Sequence, residues 1–391
     1  MTHSFPVQRS CPFAPPDEYA TFRDEAPLVR AQLPGGKVWL VTRHAEAQQV
    51  LRDPGISTNP MTPGHPNVMM EEEPPTPEQL AMFMEFAIGQ FIDLDPPEHT
   101  RFRKLLIPEF SLRRVRDMRP GIQEAVDTFL SEMKPGDDLV QAFGLPVPSL
   151  VICQLLGVPY EDRDFFHSRT RKLVMGDFTV LPEIRSYLDG LVTEAEKQPG
   201  DNLIGRVIKS EVLAHDEIVG AAVLLLIAGH ETTANMIPLS VLSLVRNPDQ
   251  LALLRADPSL WPQAVEELLR YHSIVDWVAF DRVATTDQEI GGVQVRAGEG
   301  IYVLGASANR DPRAFENPDV LDVTRGDRHH VAFGYGVHQC LGQNLARAEL
   351  EIALRTLFER IPGLTVTVPD EELTFKYGAA VFGVEALPVS W

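Results

Sequence analysis

One stretch decides the fold of this chain of 391 residues: Phe333-Gly334-Tyr335-Gly336-Val337-His338-Gln339-Cys340-Leu341-Gly342. Its three glycines allow the backbone to turn sharply and to approach a bound group closely. A helix is predicted to begin near Gln343, so Cys340 lies where the positive end of a helix favours a thiolate. No Gly-Lys-Ser/Thr follows, which argues against a phosphate-binding loop. The pattern predicts that Cys340 is a metal ligand beside a large, flat bound group.

Two other interpretations of this stretch stay open at this point. A Gly-rich turn can carry a buried cysteine that has no function, as is expected of Cys153 in the apolar segment 149–158. A zinc site could also form, although the chain lacks a second cysteine pair at ligand spacing. Its ligands would come from His329, His330, His338 and Cys340.

The composition is that of a soluble globular chain with a sizeable core, since 44% of the residues are apolar and 23% are charged. Asp and Glu number 55 against 35 Lys and Arg, and the net charge of −20 argues against nucleic acid or anionic lipid as a partner. Three cysteines cannot form a disulfide framework and fit a cytoplasmic protein. The longest strongly apolar run, residues 218–229, is shorter than the roughly 20 residues that a membrane span needs.

The organisation of the chain predicts a single, mostly helical domain over 1–391, because no linker, repeat or low-complexity segment divides it. Seven prolines between residues 54 and 77 predict an irregular loop over much of 53–100. Strands are predicted at 28–33 and 38–41, with further short strands in 276–303 around a turn at Gly291-Gly292. Helices are predicted at 44–52, 121–134, 147–156, 161–174, 182–197, 203–210, 216–246, 248–256, 261–272 and 343–360.

Four motifs, in this order along the chain, resemble those of the cytochrome P450 family. Residues 95–103 resemble the haem-propionate segment of soluble bacterial members, and residues 228–233, Ala-Gly-His-Glu-Thr-Thr, match the distal-helix motif. Residues 267–270 match Glu-x-x-Arg, and the stretch at 333–342 matches the haem-binding signature at every fixed position. The resemblance is closest to the actinobacterial group that tailors macrolides, polyenes and other natural products and includes drug and sterol hydroxylases.

The resemblance implies the cytochrome P450 fold, mainly α with a small β region. In that fold, haem b lies between a long central distal helix and the loop of the Cys ligand, next to the proximal helix. Cys340 is then the axial ligand of the iron, and a thiolate ligand favours cleavage of the O–O bond. His99, Arg103, Arg282 and His338 match the cationic partners of the haem propionates. The full set of matching cofactor-binding positions is His99, Arg103, Ala228, Gly229, Arg282, Phe333, His338, Cys340 and Gly342.

Two candidate catalytic residues, Glu231 and Thr232, lie in the distal-helix motif. The helix at 216–246 is apolar on all sides at 221–228, so it is expected to be buried. The Thr232 hydroxyl can donate to the Ala228 carbonyl, which opens a groove in the helix for a diatomic ligand and water. The resemblance implies that Thr232 hydrogen-bonds dioxygen and that Glu231 relays protons. A buried threonine that only bonds back to its own helix is the structural alternative.

Other matched positions are structural. Glu267 and Arg270 are three residues apart on a helix, so they share a face and can pair. Such pairs contribute little on a surface. The resemblance implies that this pair is buried together with Arg325, which follows Phe315 and Pro318 in a family motif, and that the three lock the loop of Cys340.

The resemblance also indicates where substrate binds. Mobile lids would come from 161–197, and the shape of one wall is altered because Asp276 and Trp277 stand where many relatives have proline. Glu71-Glu72-Glu73 is either a solvated charge run or an attractor for a cationic group such as an amino sugar. The candidate substrate contacts are Ile88, Leu224, Leu225, Val278 and Val381.

Residues 101–119 carry seven Lys or Arg and two acids, a net charge of +5 in a chain of −20. Such a basic island on an acidic protein fits docking of a small acidic ferredoxin. A solvated helix face is the alternative explanation.

The resemblance, together with these features, implies a monomeric, cytoplasmic haem-thiolate monooxygenase of secondary metabolism, including antibiotic biosynthesis. It would use O2 and two electrons from NAD(P)H, through ferredoxin reductase and ferredoxin, to hydroxylate or epoxidise a large apolar substrate. A macrolide or polyene is the expected class, with sterols and drugs as further substrates. A haem-based sensor or apolar-ligand carrier without turnover is the alternative. The Glu231-Thr232 pair and the basic island favour the enzyme, because a carrier needs neither a proton relay nor an electron donor.

Overall fold

The structure is a computed structural model that describes residues 2–33, 36–66 and 76–391. Glu71-Glu72-Glu73 lie outside the described residues. The helices are Glu18–Glu25 (α1), His44–Arg52 (α2), Pro77–Ala87 (α3), Glu98–Leu106 (α4), Leu112–Glu132 (α5), Pro146–Leu156 (α6), Arg163–Val174 (α7), Leu181–Lys197 (α8), Leu203–Lys209 (α9), His215–Arg246 (α10), Pro248–Ala256 (α11), Trp261–His272 (α12), Gly305–Ala308 (α13) and Gln343–Arg360 (α14). The strands are Thr2–Ser4 (β1), Leu28–Leu33 (β2), Gly36–Val41 (β3), Ile56–Ser57 (β4), Asp281–Ala284 (β5), Gln288–Ile290 (β6), Val293–Val295 (β7), Gly300–Val303 (β8), Thr365–Val366 (β9) and Val389–Ser390 (β10).

The helices predicted from residue 147 onward are confirmed, with bounds that differ by at most two residues. The helix predicted at 121–134 was wrong at its start. It begins at Leu112, because the Ser111 hydroxyl caps it by accepting from the backbone N–H of Arg114 at 3.3 Å, and it continues through Pro120. The loop predicted over much of 53–100 is interrupted by α3, whose first residue is a proline, a position where the missing N–H loses no helical bond.

The chain forms two compact units, each assembled from three separate segments. The first comprises Met1–Pro75, Ile92–Pro96 and Pro262–Cys340, and the second comprises Thr76–Phe91, Pro97–Trp261 and Leu341–Trp391. Each is described by itself below. The single domain over 1–391 stays a prediction.

The first unit is built on a six-stranded sheet with the order β1-β2-β3-β8-β5-β4. Its strands pair antiparallel except at β1 with β2 and β3 with β8. The apolar side chains of β3, β5 and β8 pack with α2 to form a core that includes Val41, Leu51, Ala284 and Val303, each less than 9% exposed. The predicted turn at Gly291-Gly292 is confirmed as the connection of the antiparallel pair β6–β7.

The second unit is helical and is organised around α10, which packs against α6, α8 and α14. Close packing depends on small residues: a Cβ on Gly229 would lie 2.6 Å from the Ile152 side chain of α6. By length and composition α10 could cross a membrane. However, 67% of its apolar window is buried inside the protein, as in the core helix of a soluble protein.

A buried cluster of charges in the first unit joins α12 to the chain that follows α13. Glu267 and Arg270 are both fully buried, and the Glu267 carboxylate accepts from Arg270 Nε at 2.7 Å and Nη2 at 2.8 Å. Arg325 Nε donates to the same carboxylate at 3.0 Å. Arg270 Nη1 donates to the carbonyls of Asn309 and Pro318, each at 2.8 Å. The three-residue contact predicted for Glu267, Arg270 and Arg325 is therefore confirmed.

Replacing Glu267 by alanine tests the importance of this cluster. We expect the Glu267→Ala variant to lose about 3 to 5 kcal/mol of unfolding free energy, because two guanidinium groups then lack their buried carboxylate. Urea unfolding followed by circular dichroism measures the loss. The control is Glu359→Ala, which removes the half-exposed Arg355–Glu359 pair on α14 and should change stability by roughly 0.3 to 0.5 kcal/mol. Equal losses in the two variants would contradict the special role of Glu267.

Candidate active site

The loop that ends at Cys340 folds back on itself. The Cys340 backbone N–H donates to the Phe333 carbonyl at 2.8 Å, which closes the loop between them. Gly334 and Gly336 have φ of +68° and +75°, a conformation that other residues rarely adopt. A Cβ on Gly336 would also lie 2.5 Å from the Leu51 carbonyl oxygen. The Cys340 side chain is a half-exposed thiol and forms no disulfide.

A chain of hydrogen bonds connects this loop to the buried charges on α12. Arg270 Nη1 donates to the Asn309 carbonyl at 2.8 Å. The Asn309 side-chain oxygen accepts from the Val331 N–H, also at 2.8 Å. The Val331 carbonyl in turn accepts from the Gly334 N–H at 2.8 Å. Each link lies within the first unit. A continuous series of hydrogen bonds therefore runs from Arg270 to the loop of Cys340, which is how the buried charges can hold the loop in the predicted way.

The alternative zinc site is not assembled. His330 Nε2 lies 3.0 Å from a Glu266 carboxylate oxygen, and His329 pairs with Asp327 at 2.6 Å while remaining 83% exposed. Among the described residues, the one group of His, Cys, Asp and Glu close enough to share a metal is elsewhere, at Asp189, His215 and Asp216.

The proposed propionate partner Arg282 lies on β5 and is 4% exposed. Its Nη1 donates to the Asp281 carbonyl at 2.7 Å. Burial lowers the pKa of Arg282, and three neighbouring carboxylates oppose that shift: Asp281, Asp95 and Asp93. Burial likewise raises the pKa of Asp93 to about 7, with the Asp281 charge adding to the rise. Sequence reasoning missed this concentration of acids around Arg282. His338 is half-buried in the turn Gly336–His338 of the same unit.

In the second unit, His99 and Arg103 lie four residues apart on α4 and share a face of that helix. His99 is 3% exposed and Arg103 is half-buried. Gly342 precedes the first residue of α14 and has an ordinary φ of −81°.

The central part of α10 is buried except for one narrow stripe. Ala228 is the only exposed residue from Ile218 to Leu244, and Leu224 and Thr232, four residues before and after it, are half-buried. The three share one face of the helix. The Thr232 hydroxyl donates to the Ala228 carbonyl at 2.9 Å, so the predicted hydrogen bond is confirmed. Gly229 lies instead against Ile152 of α6 and serves the packing of the two helices.

Glu231 is 5% exposed, and its Oε1 accepts from the Thr170 hydroxyl at 3.0 Å. His230 Nε2 lies 3.4 Å from the same oxygen. Burial tends to raise the pKa of Glu231, but the hydrogen bond and charge of His230, with Lys376 and Thr170, outweigh it and hold the pKa at about 2. Glu231 is therefore a carboxylate at neutral pH.

The five candidate substrate contacts fall into two groups. Ile88 is 40% exposed, and Leu224 and Val278 are half-buried. Leu225 and Val381 are buried at 7% and 8% exposure. Leu225 borders a small apolar cavity whose other walls come from α4, α9 and the start of α10, so it does not share the face of Leu224, Ala228 and Thr232.

The segment that leads to Val278 is held in an unusual backbone conformation. Asp276 has a φ of +20°, and its carboxylate accepts from the Tyr19 hydroxyl at 2.8 Å and from the Ala306 N–H at 2.9 Å. Trp277 points into an aromatic cluster with Phe5. These contacts replace the rigidity that a proline would supply at this position.

Comparison with known proteins identifies the family. A family model described as cytochrome P450 matches residues 254–372. The vitamin D3 dihydroxylase of Streptomyces griseolus is 46% identical over 402 residues, which cover 99% of this chain and 97% of that protein. The chain belongs to the cytochrome P450 family. The 20-oxo-5-O-mycaminosyltylactone 23-monooxygenase of Streptomyces fradiae is 44% identical to this P450 over 401 residues, covering 99% of this chain and 92% of that protein.

The fold comparison agrees with this membership. The crystal structure of mycinamicin VIII C21 methyl hydroxylase from Micromonospora griseorubida, bound to mycinamicin VIII, matches this P450 with a TM-score of 0.92 and 41% identity, covering 100% of both chains. The predicted P450 fold, mainly α with a small β region, is confirmed. Relatives named as hydroxylases and monooxygenases show that this P450 is an enzyme, which decides against a sensor or carrier without turnover.

Membership of the family implies haem as the prosthetic group and O2 as co-substrate. The donor chemistry of the first unit fits such a group. Cys340 offers a half-exposed thiol on a loop with left-handed glycines, and a thiolate is the ligand that P450 haem requires. Arg282 is a buried cation among acids, and a nearby propionate would give it a further ionic partner.

Several polar residues around the site escaped sequence reasoning. Thr170 and His167 lie on α7, about sixty residues from the α10 residues that they face. Glu349 on α14 is fully buried, and burial raises its pKa well above the usual value for a glutamate. No local motif marks any of the three, because each owes its environment to a helix distant in sequence.

A pair of glycine variants tests the backbone of the Cys340 loop. We expect Gly336→Ala to destabilise this P450 by about 1 to 3 kcal/mol, because the residue needs a positive φ and its Cβ would meet the Leu51 carbonyl. Gly190→Ala is the control, because Gly190 is exposed on α8 and its Cβ would meet nothing within 4 Å, so this variant should lose no stability. Thermal unfolding and the haem content of the purified variants measure both effects. A Gly336→Ala variant as stable as Gly190→Ala would show that the loop tolerates another backbone conformation.

Proposed function

We propose that this P450 is a haem b monooxygenase that hydroxylates or epoxidises a large apolar secondary metabolite of the macrolide or polyene class. It acts as a single-domain monomer in the cytoplasm, with O2 as co-substrate and electrons from NAD(P)H through ferredoxin reductase and ferredoxin. The observation that carries this proposal is the Thr232 hydroxyl bonded to the Ala228 carbonyl, next to the buried carboxylate of Glu231. Two relatives support the substrate class, since their names include a mycaminosyltylactone and mycinamicin VIII.

Cys340 would hold the haem iron as a thiolate, and its loop keeps the sulfur in place through the Cys340 N–H bond to Phe333. Arg282, His338, His99 and Arg103 would pair with the two propionates. When bound, the haem supplies the reduction of O2 and the transfer of one oxygen atom to the substrate.

Thr232 and Glu231 handle protons in this proposal. Because the Thr232 hydrogen is given to the Ala228 carbonyl, the Thr232 oxygen is left as an acceptor that can orient a water molecule. The backbone N–H that would normally use the Ala228 carbonyl then competes with that hydroxyl, which loosens the helix at this turn. Glu231, one residue earlier, can deliver a proton to such a water after its carboxylate has been protonated.

Substrate binding would involve the apolar groups that stay accessible in each unit. In the second unit these are Leu224, Ala228 and the exposed Ile88, and in the first unit Val278. Apolar side chains give affinity for a large hydrophobic molecule without fixing one polar group, so they fit macrolide-like substrates.

The reduced carbon monoxide spectrum tests the proposed ligand. The wild-type protein should show the absorption band of thiolate-ligated haem, and Cys340→Ala should lose that band because its iron lacks the sulfur. Cys11→Ala is the control, since Cys11 is also half-buried and has no role in the proposal. A histidine-type band in the wild-type protein, or an unchanged band in Cys340→Ala, would refute the proposed haem ligation.

The basic island at 101–119 contains two kinds of residue. Three of its arginines form ion pairs with acids of the second unit: Arg101 with Glu217, Arg114 with Glu109 and Arg119 with Glu351. Lys104, Arg113 and Arg116 are exposed. Ile107 and Leu112 lie among them in sequence and are 49% and 70% exposed. Exposed cations around exposed apolar side chains suit the docking of a small acidic electron donor.

Charge reversal of the exposed arginines tests ferredoxin docking. We expect Arg113→Glu with Arg116→Glu to lower kcat/KM for ferredoxin roughly tenfold at low salt, with the difference shrinking at high salt. Affinity for a substrate measured by its spin-state shift should not change. Lys37→Glu, an exposed charge reversal in the first unit, is the control. Equal ferredoxin kinetics in all three proteins would rule out this docking surface.

A further inference from the structure

A closed cluster of polar side chains surrounds the Glu231 carboxylate and contains two groups that the proposed function does not use. We call it the Thr170 cluster, and it consists of Thr170 on α7 with His230 and Glu231 on α10. The Thr170 Oγ1 lies 3.1 Å from His230 Nε2 and 3.0 Å from Glu231 Oε1. His230 Nε2 and Glu231 Oε1 are 3.4 Å apart. Thr170 and His230 are fully buried, and Glu231 is 5% exposed.

The hydrogen atoms of the cluster can be counted. His230 Nδ1 lies 2.7 Å from the Leu226 carbonyl oxygen, which can only accept, so Nδ1 carries a hydrogen. Thr170 has one hydroxyl hydrogen, which can serve one of three acceptors: Glu231 Oε1, His230 Nε2 or the His167 carbonyl at 3.3 Å. If Nε2 and Oε1 carried no hydrogen, two lone pairs would face each other at 3.4 Å in a buried site.

One additional proton removes this conflict. It can reside on His230 Nε2, which makes an imidazolium beside a carboxylate, or on Glu231 Oε1, which makes two neutral groups. In the first state the Nε2–H donates to Thr170 or Glu231, and the Thr170 hydroxyl donates to Glu231. No two lone pairs then face each other without a hydrogen atom between or beside them.

The first state is favoured because Glu231 is held as a carboxylate, to which the charge of Lys376 contributes. Lys376 Nζ donates to the Asn235 side-chain oxygen at 2.9 Å. His167 on α7 adds no competing charge, because burial and the charge of His230 lower its pKa to about 3. The positive charge of Arg163 on α7 likewise opposes protonation of His167.

We propose that the Thr170 cluster stores one exchangeable proton and that His230 supplies it to Glu231. The inference rests on the proposed role of Glu231 as a proton relay. In the transfer, the N–H bond at His230 Nε2 breaks and an O–H bond forms at Glu231 Oε1, either directly or through exchange with the Thr170 hydroxyl. Both groups become neutral, and no electrons move between residues. After Glu231 has passed the proton on, the returning proton reaches His230 by way of Glu231, because Glu231 is 5% exposed whereas His230 and Thr170 are fully buried.

Thr170 is a positioning residue in this scheme, because it orients the donor and acceptor but gains no proton overall. It comes from α7, whereas His230 and Glu231 come from α10. The cluster is therefore complete only while α7 packs against α10.

The protonation state of His230 can be observed without any substrate. We would record nitrogen NMR spectra of histidine-labelled holoenzyme in its diamagnetic ferrous carbon monoxide form, under the buffer conditions of the activity measurements. The wild-type protein should contain a histidine with both ring nitrogens protonated. That signal should be absent from His230→Gln and should become neutral in Glu231→Gln, which removes the carboxylate. A wild-type spectrum with only neutral buried histidines would overturn the stored proton.

Proton supply is measured by NADPH consumption with ferredoxin in the absence of added substrate, in water and in heavy water. His230→Gln retains an N–H donor but has no proton to release, and we expect its rate to fall roughly tenfold with a changed solvent isotope effect. Glu231→Gln should slow similarly, and the double variant should be no slower than the slower single variant. Thr170→Val should be slow, whereas Thr170→Ser, which keeps the hydroxyl, should be close to the wild type.

The outcomes distinguish the proposed relay role of Glu231 from the proposal that His230 supplies its proton. If Glu231→Gln has the wild-type rate, Glu231 is not a relay and the proposed function of that residue fails. If Glu231→Gln is slow while His230→Gln has the wild-type rate and isotope effect, the relay stands and His230 is not its donor. Additive losses in the double variant would mean that His230 affects only the stability of the fold around α7.

Discussion

The carboxylate of Glu267 is the group on which the arrangement of the first unit depends. It is fully buried and accepts hydrogen bonds from both Arg270 and Arg325. Burying three charges is unfavourable unless nearly all of their hydrogen-bonding capacity is satisfied. Here the remaining Arg270 hydrogens go to the carbonyls of Asn309 and Pro318, so the backbone after α13 is bound to α12. From Asn309 the chain of hydrogen bonds continues through Val331 to the loop of Cys340. The Cys340 thiol is thereby held in place at the end of an irregular segment.

The requirement that buried polar groups find hydrogen-bond partners also governs α10 in the second unit. This helix is apolar enough to be buried over most of its length, so each of its polar side chains needs a partner nearby. Thr232 finds one within its own helix, at the Ala228 carbonyl. Asn235 donates to the Glu231 carbonyl and accepts from Lys376, which ties the segment after α14 to the helix. The buried polar groups thus concentrate in two turns of α10, the turns that carry the residues proposed for proton transfer.

Electrostatics acts differently at the surface. The segment 101–119 has a net charge of +5 by sequence, a sum that already includes Glu109, and Glu217 and Glu351 neutralise part of it by pairing with Arg101 and Arg119. The cations that remain exposed are fewer and more localised than the sequence indicates. Screening by salt weakens such exposed charges but has less effect on the buried cluster at Glu267. The P450 therefore uses buried charges for structure, and its smaller set of exposed charges forms the surface proposed for ferredoxin docking.

Much of this P450 follows from interactions between residues close in sequence. The hydrogen bonds within the helices after residue 147, the pairing of Glu267 with Arg270 and the bond from Thr232 to Ala228 each join residues four positions apart or fewer. Side-chain periodicity and spacing were therefore sufficient to predict them. The predicted haem signature likewise lies in one continuous segment. Sequence reasoning failed where a local signal misled it, as at Pro120, which lies inside α5 and not directly before its first residue.

Other features depended on tertiary structure. The exact contacts of Arg325 with Glu267, the acids around Arg282 and the contact of Thr170 with Glu231 join residues tens to hundreds of positions apart. A pKa depends on burial and on which charges lie within a few ångströms, and neither quantity is contained in local spacing. For the same reason the sequence could not separate Leu224 from Leu225, because only packing decides which neighbour faces the core. The sequence by itself determined the family and its local motifs, whereas the folded chain decided which charges are buried, paired or exposed.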